Sequence, residues 1–149
     1  MTLMINRSPT MKIITGILCS MLLSLSAAET ALKAYIENLN THAWDQIAPC
    51  VTEDAVFIFT EDTFVGKAAA KAAFEKTFKL IENEVFSLHD IAWTAVTESM
   101  AACHYEFRWK GLIGAHESSG GGRGTSVLRK VNSSWLIVHE HLGPYARKS

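Results

Sequence analysis

GTSVLRKVNSSWLIVHEH, residues 124–141, reads as two strands joined by a polar turn. The strands cover residues 123–131 and 135–142, and Asn132, Ser133 and Ser134 make the turn between them. Val127, Leu128, Val131, Trp135, Ile137 and Val138 are β-branched, aliphatic or aromatic, which suits a pleated, half-buried surface. Side chains alternate along a strand, so Trp135, Ile137, His139 and His141 fall on one side. Leu136, Val138, Glu140 and Leu142 fall on the other. Both sides are largely apolar, as expected where one lines a core and the other a subunit interface.

Working outward, residues 86–97 and 100–110 are two more runs rich in aromatic and β-branched residues, with a turn at residues 97–99. In the second run His104, Glu106, Arg108 and Lys110 alternate with Cys103, Tyr105, Phe107 and Trp109, which predicts a solvated face opposite a buried one. Residues 111–122 read as a polar, glycine-rich connection. The glycines at 120–122 and 124 do not make a phosphate loop. No Lys-Ser/Thr follows them, and a strand follows where a helix is required. Upstream lies helical spacing: Ala31, Leu32, Tyr35, Ile36 and Leu39 fall at i, i+3, i+4 positions of a helix over residues 29–40. A second short helix spans residues 43–51, weakened by Pro49 in its last turn. A short strand at 56–59 turns back at 61–63 towards Phe64 and Val65. Gly66 then opens a helix over 67–81, high in Ala and Lys, with an apolar stripe of Ala70, Ala73, Phe74 and Phe78. Three helices followed by a mostly antiparallel sheet make an α+β domain.

Hydrophobic residues are 48% of the 149-residue chain and charged ones 19%, which fits one globular domain and argues against disorder. Part of that apolar content sits at the front. Met11 and Lys12 precede an apolar run over 13–25, and Ser26-Ala27-Ala28 supplies small residues at a cleavage site. We therefore expect residues 1–28 to be a secretory signal peptide, cut near Ala28, with residues 29–149 forming the mature periplasmic or secreted domain. The run falls short of the ~20 apolar residues of a spanning helix, so no membrane association is expected after cleavage. The formal net charge of −1 becomes more negative when Arg7 and Lys12 are lost, which leaves no basic cluster for nucleic acid. Cys50 and Cys103 survive in the mature chain. Their spacing leaves open whether they pair or stay two buried thiols.

This order of elements resembles the SnoaL-like branch of the nuclear transport factor 2 superfamily. Two segments carry the likeness: YIENLNTHAWDQI (residues 35–47) running into TEDAVF (52–57), and the closing hairpin with its Trp-x-Ile-x-His-x-His ending. The resemblance implies a cone: three N-terminal helices packed on a curved, mostly antiparallel sheet, an apolar pocket inside, and a homodimer through the outer sheet face. It also implies that the tryptophan side of the last strand faces inward, carrying His139 and His141 towards the pocket. Ketosteroid isomerase belongs to the same superfamily. Its pocket tyrosine falls on Tyr35, its proton-abstracting carboxylate on Phe59, and its second acid near Ser126. Phe59 cannot accept a proton, so that mechanism is rejected here. The association domain of calcium/calmodulin-dependent kinase II resembles the closing hairpin too, which keeps an oligomerisation or partner-binding role in view.

On this reading the pocket is lined by Trp44, Phe59, Phe74, Trp93, Trp135 and Ile137, with Thr125 and Val127 on the neighbouring strand. It would hold a small, mainly apolar molecule. Alternatively His139 or His141 acts as acid or base with Tyr35 as donor, in an isomerase, hydratase or hydrolase. The competing reading of each imidazole is a satisfied core residue. His139 and His141 with His104 or Glu106 fall short of a convincing zinc set, so neither metal nor cofactor is expected.

Overall fold

The computed structural model describes residues 9–145, with side chains from Leu18 onward. Helix α1 (Pro9–Leu39) is followed by the short α2 (Trp44–Ile47) and a 3-10 turn, Ala48–Cys50, into which Pro49 fits. Then come β1 (Val51–Ile58), β2 (Thr63–Val65), α3 (Lys67–Leu80), β3 (Glu82–Val96), β4 (Met100–Ile113), β5 (His116–Val131) and β6 (Ser134–Pro144). The six strands form one sheet in the order β2-β1-β6-β5-β4-β3. Only β1 against β6 is parallel; the other neighbours are antiparallel.

The helices cover one face of this sheet. From α1, Leu32, Tyr35 and Leu39 are buried, as the i, i+3, i+4 spacing requires. From α3, Ala70, Ala73 and Phe74 are buried, and the ring of Phe74 meets Phe57 and Phe59 edge-on at 5.2 and 5.7 Å. The sheet answers with Phe57, Phe86, Cys103, Tyr105, Phe107, Leu128 and Ile137. Asn40 ties the end of α1 to β3: its amide donates to the Phe86 carbonyl at 2.9 Å and accepts from the Phe86 N–H at 2.7 Å. One side chain thus does the work of a paired strand residue.

Three features depart from the sequence reading. First, α1 does not begin at residue 29 but runs unbroken from Pro9, with Ser24 and Ala28 buried against the fold. Among the described residues no helix is long and apolar enough to cross a membrane. The start of the expected leader, with Arg7, lies outside the described residues. Second, the glycine-rich connection is strand. A tight turn at Gly114-Ala115 separates β4 from β5, and Gly120, Gly121, Gly122 and Gly124 pair with Trp109, Arg108, Phe107 and Tyr105. A Cβ at Gly120 would lie 2.7 Å from the Trp109 indole, and one at Gly124 would strike the Tyr105 ring. Gly120 and Gly124 are there because aromatic side chains from β4 lie across them, while at Gly121 and Gly122 a Cβ would strike the neighbouring backbone.

Third, register shifts interrupt the alternation in the β1–β6, β3–β4 and β5–β6 pairings, and two of them turn acids towards the core. On β6 the register shifts where Val127 pairs with His139 but Leu128 pairs with Ile137, leaving Val138 as an extra residue. On β3 it shifts between Glu82 and Val85, where Asn83 adopts a left-handed φ of 52°. Each is a β-bulge, in which one added residue reverses which side chains face the core.

Candidate functional site

Between α3 and the open end of the sheet lies a cavity of about 520 Å³. Phe74, Thr77 and Phe78 of α3 form one wall. Phe86, Phe107 and Trp109, with Gly120 and Gly121, form the opposite one; Phe59, Glu61 and Tyr145 stand at the rim. Aromatic contacts brace it: Phe86 stacks on Phe107 at 5.8 Å, and Phe78 stacks on the His42 ring at 5.0 Å. Among its aromatic and aliphatic residues the lining carries Thr60, Thr77 and Ser119, and two acids besides Glu61, namely Glu140 and Glu84. Both face inward because of the bulges.

On β6, the extra residue lets Ile137 and then Glu140 and Leu142 point inward. Glu140 is 1% exposed. Tyr35 OH donates to its Oε2 at 3.0 Å. Tyr105 OH and Ser126 Oγ donate to Oε1 at 3.0 and 3.2 Å, and these two hydroxyls lie 2.8 Å apart. Burial raises the Glu140 pKa, and the three hydroxyl hydrogen bonds offset only part of that rise. Burial, then the nearby Glu140 charge, pushes both tyrosine hydroxyls well above their usual range, so they remain donors. Removing the carboxyl would strand the buried Tyr35 hydroxyl at roughly 1–3 kcal/mol, while Tyr105 and Ser126 would still bond each other.

On β3, the bulge at Asn83 turns Glu84 and Phe86 inward and leaves Val85 half exposed. Gly111 on β4 makes room for it: a Cβ there would lie 2.6 Å from Ile81 Cγ2 and 3.1 Å from the Glu84 Cα. The Glu84 carbonyl accepts from the His42 ring at 2.9 Å. Its carboxyl, in a residue 6% exposed, has no hydrogen bond or ion pair among the described residues. Burial raises its pKa from 4.5 to about 7.

The residues expected from sequence are distributed differently. Phe59 and Phe74 line the cavity, and Tyr35 reaches it through Glu140. Trp44 packs behind Phe74 at 5.8 Å, while Trp135 and Ile137 are core. Trp93 lines a separate cleft between α1 and β3, beside Leu32, Ile36 and Ile91. The inward placement of His139 and His141 is corrected. His139 is half-buried and His141 exposed on the outer sheet face, opposite Val127 and Thr125, which share that face. Partial burial, then His141, lowers the His139 pKa. The bulge at Val138 is the reason: alternation holds from Trp135 to Ile137 and is reversed beyond. On β4 the expected faces hold, with Glu106 and Arg108 3.8 Å apart on the outside. Cys50 and Cys103 are both free thiols, and burial pushes Cys103 up to about 11. Among the described residues no cluster of His, Cys, Asp and Glu is suited to a metal.

Glu140 and Glu84 were missed by the sequence reading. Neither stands out in the sequence, where Glu84 follows Glu82 and Asn83 and Glu140 sits between His139 and His141, so their inward facing shows only once the bulges are seen.

The fold has counterparts among solved structures. A nuclear transport factor 2-like superfamily protein from Salmonella enterica serovar Typhimurium is similar over 80% of this chain and 89% of its own, at TM-score 0.71 and 16% identity. A ketosteroid isomerase-like protein from Erwinia carotovora atroseptica is similar over 83% and 98%, at TM-score 0.71 and 16% identity. A protein with a cystatin-like fold from Caulobacter vibrioides matches over 83% and 90%, at TM-score 0.71 and 16% identity. At such identities the likeness is one of fold. No curated protein matches the chain in sequence. The profile of the SnoaL-like domain matches residues 32–136, from the buried face of α1 to the start of β6. The chain belongs to the SnoaL-like domain family.

Proposed function

We propose that this chain is an exported binding protein that holds one small, mainly apolar molecule in the cavity between α3 and the sheet. The observation that carries this is an aromatic-walled space of about 520 Å³ whose polar side chains are few and placed at fixed points. Export is supported by the leader-like front of α1, where Leu18, Met21, Leu22 and Leu23 are exposed to solvent. Pairing of two copies through the outer sheet face, which carries His104, Thr125 and His141, belongs to the same reading; light scattering tests it.

Trp109 on the cavity wall supplies the readout for binding. Titration with a panel of lipids, polyketides and aromatic acids is expected to give a saturable change in tryptophan fluorescence. Trp109→Phe should remove that change while calorimetry still records the heat of binding. No saturable response by either method across the panel would overturn the binding reading.

A second reading is favoured by Glu140 specifically. A carboxyl shielded from water, with Tyr35, Tyr105 and Ser126 around it, has the makings of an acid–base pair that protonates or deprotonates a carbonyl-bearing substrate. This replaces the imidazoles expected in that role. On a substrate found by screening, Glu140→Gln should abolish turnover while preserving the circular dichroism spectrum. Turnover unchanged in that variant excludes the role.

A further inference from the structure

Glu84 is the group in this cavity that nothing in the fold satisfies. Its residue is 6% exposed, with the cavity as its opening to water, so the carboxyl is poorly solvated and no protein donor replaces the lost hydration. The neighbouring structure is built to keep it there. Asn83 takes a left-handed backbone to turn it inward, Gly111 leaves space for the bulge, and His42 holds its carbonyl. Glu140, by contrast, is satisfied by three hydroxyls. Glu61 at the rim adds a third acid, and no Lys, Arg or His lines the wall among the described residues. Phe78, Phe86 and Trp109 line the same wall, and an aromatic ring met on its face attracts a cation.

We propose that the cavity takes an apolar molecule bearing a protonated amine, with Glu84 as its counter-charge. The inference rests on the binding reading above and names the ligand class for it. An ammonium group would bring the donor that Glu84 lacks, and the ion pair would form in a place where solvent screens it poorly. A carboxylate or phosphate of the same shape would instead meet three acids.

The test uses the full-length protein and three probes matched in shape: 4-phenylbutylamine, 4-phenylbutan-1-ol and 4-phenylbutyrate, compared by calorimetry. The amine is expected to bind at least about tenfold more tightly than the alcohol, the scale of one charged hydrogen bond, and the acid most weakly. Glu84→Gln should bring the amine down to the level of the alcohol and leave the alcohol unchanged. Glu84→Met does the same service if the glutamine variant fails to fold, and Glu106→Gln on the outer face should preserve the full ranking. An alcohol that binds as well as the amine, or an amine advantage that survives in the Glu84 variants, overturns the ligand class alone. Absence of saturable binding by all three probes overturns the cavity reading and this inference together.

Discussion

Glu84 and Asp54 are acids with opposite effects on stability. Burial raises Glu84 to about 7 from 4.5, so between those values the folded chain holds a proton that the unfolded chain has released. Stability therefore falls as pH rises through that window, and the loss is complete above about 7. Thermal melts from pH 4.5 to 8 should show this decline, and Glu84→Gln should lessen it, leaving the part due to the raised Glu140, and melt higher than the parent at pH 8. An unchanged slope in that variant would show that the carboxyl is better solvated than its 6% exposure implies. Asp54 runs the other way. Its forked hydrogen bonds with Arg129, at 2.6 and 3.1 Å, lower it to about 2 from 3.8. Its contribution is present above 3.8 and is lost as pH falls towards 2; being exposed, it is small. Tyr35 was legible in the sequence because helical spacing and family likeness agree on its inward face. Its partner was not, because the chain between Ile137 and Glu140 carries no mark of the extra residue.

At the level of elements, helices were more legible than strands. The stripe of Ala70, Ala73 and Phe74 is buried as read, since one turn of helix repeats without exception across α3. Strand facing depends on every residue being counted in pairs, and one bulge inverts all that follows. Residues 111–122 were read as a loop for a related reason: glycine is a turn former in isolation, and only the Trp109 and Tyr105 rings explain its presence in a ladder. The β3 bulge yields its own prediction. Gly111→Ala places a methyl against Ile81 and the Glu84 backbone, and should cost about 1–3 kcal/mol by overpacking. Urea unfolding measures it. The same variant should weaken amine binding, because the backbone carrying Glu84 must shift; a neutral effect on both would mean that the bulge relaxes freely.

For the whole molecule, the α+β layering was read from order and pattern and the family with its cone from resemblance to known domains, while the cavity's chemistry depended on long-range register. If export cleaves the chain near Ala28, mass spectrometry of the mature protein from its native cells will find Glu29 at or near the N-terminus. The same cut made in vitro should leave a folded domain, since Leu32, Tyr35 and Leu39 keep α1 seated on the sheet. Loss of the native near-ultraviolet spectrum in residues 29–149 would mean that Ser24 and Ala28 are indispensable to the core. The glycine wall bears on how such a protein changes over generations. Where Gly120 and Gly121 face the cavity, the occupant meets main chain, and any codon change adds atoms to a space already shared with Trp109 and the β4 backbone. On the proposed reading, new ligand preferences arise on the α3 side, at Phe74, Thr77 and Phe78, and at Glu84 on β3, while the stretch at Gly120 and Gly121 stays as a fixed plate against which each successive ligand is measured.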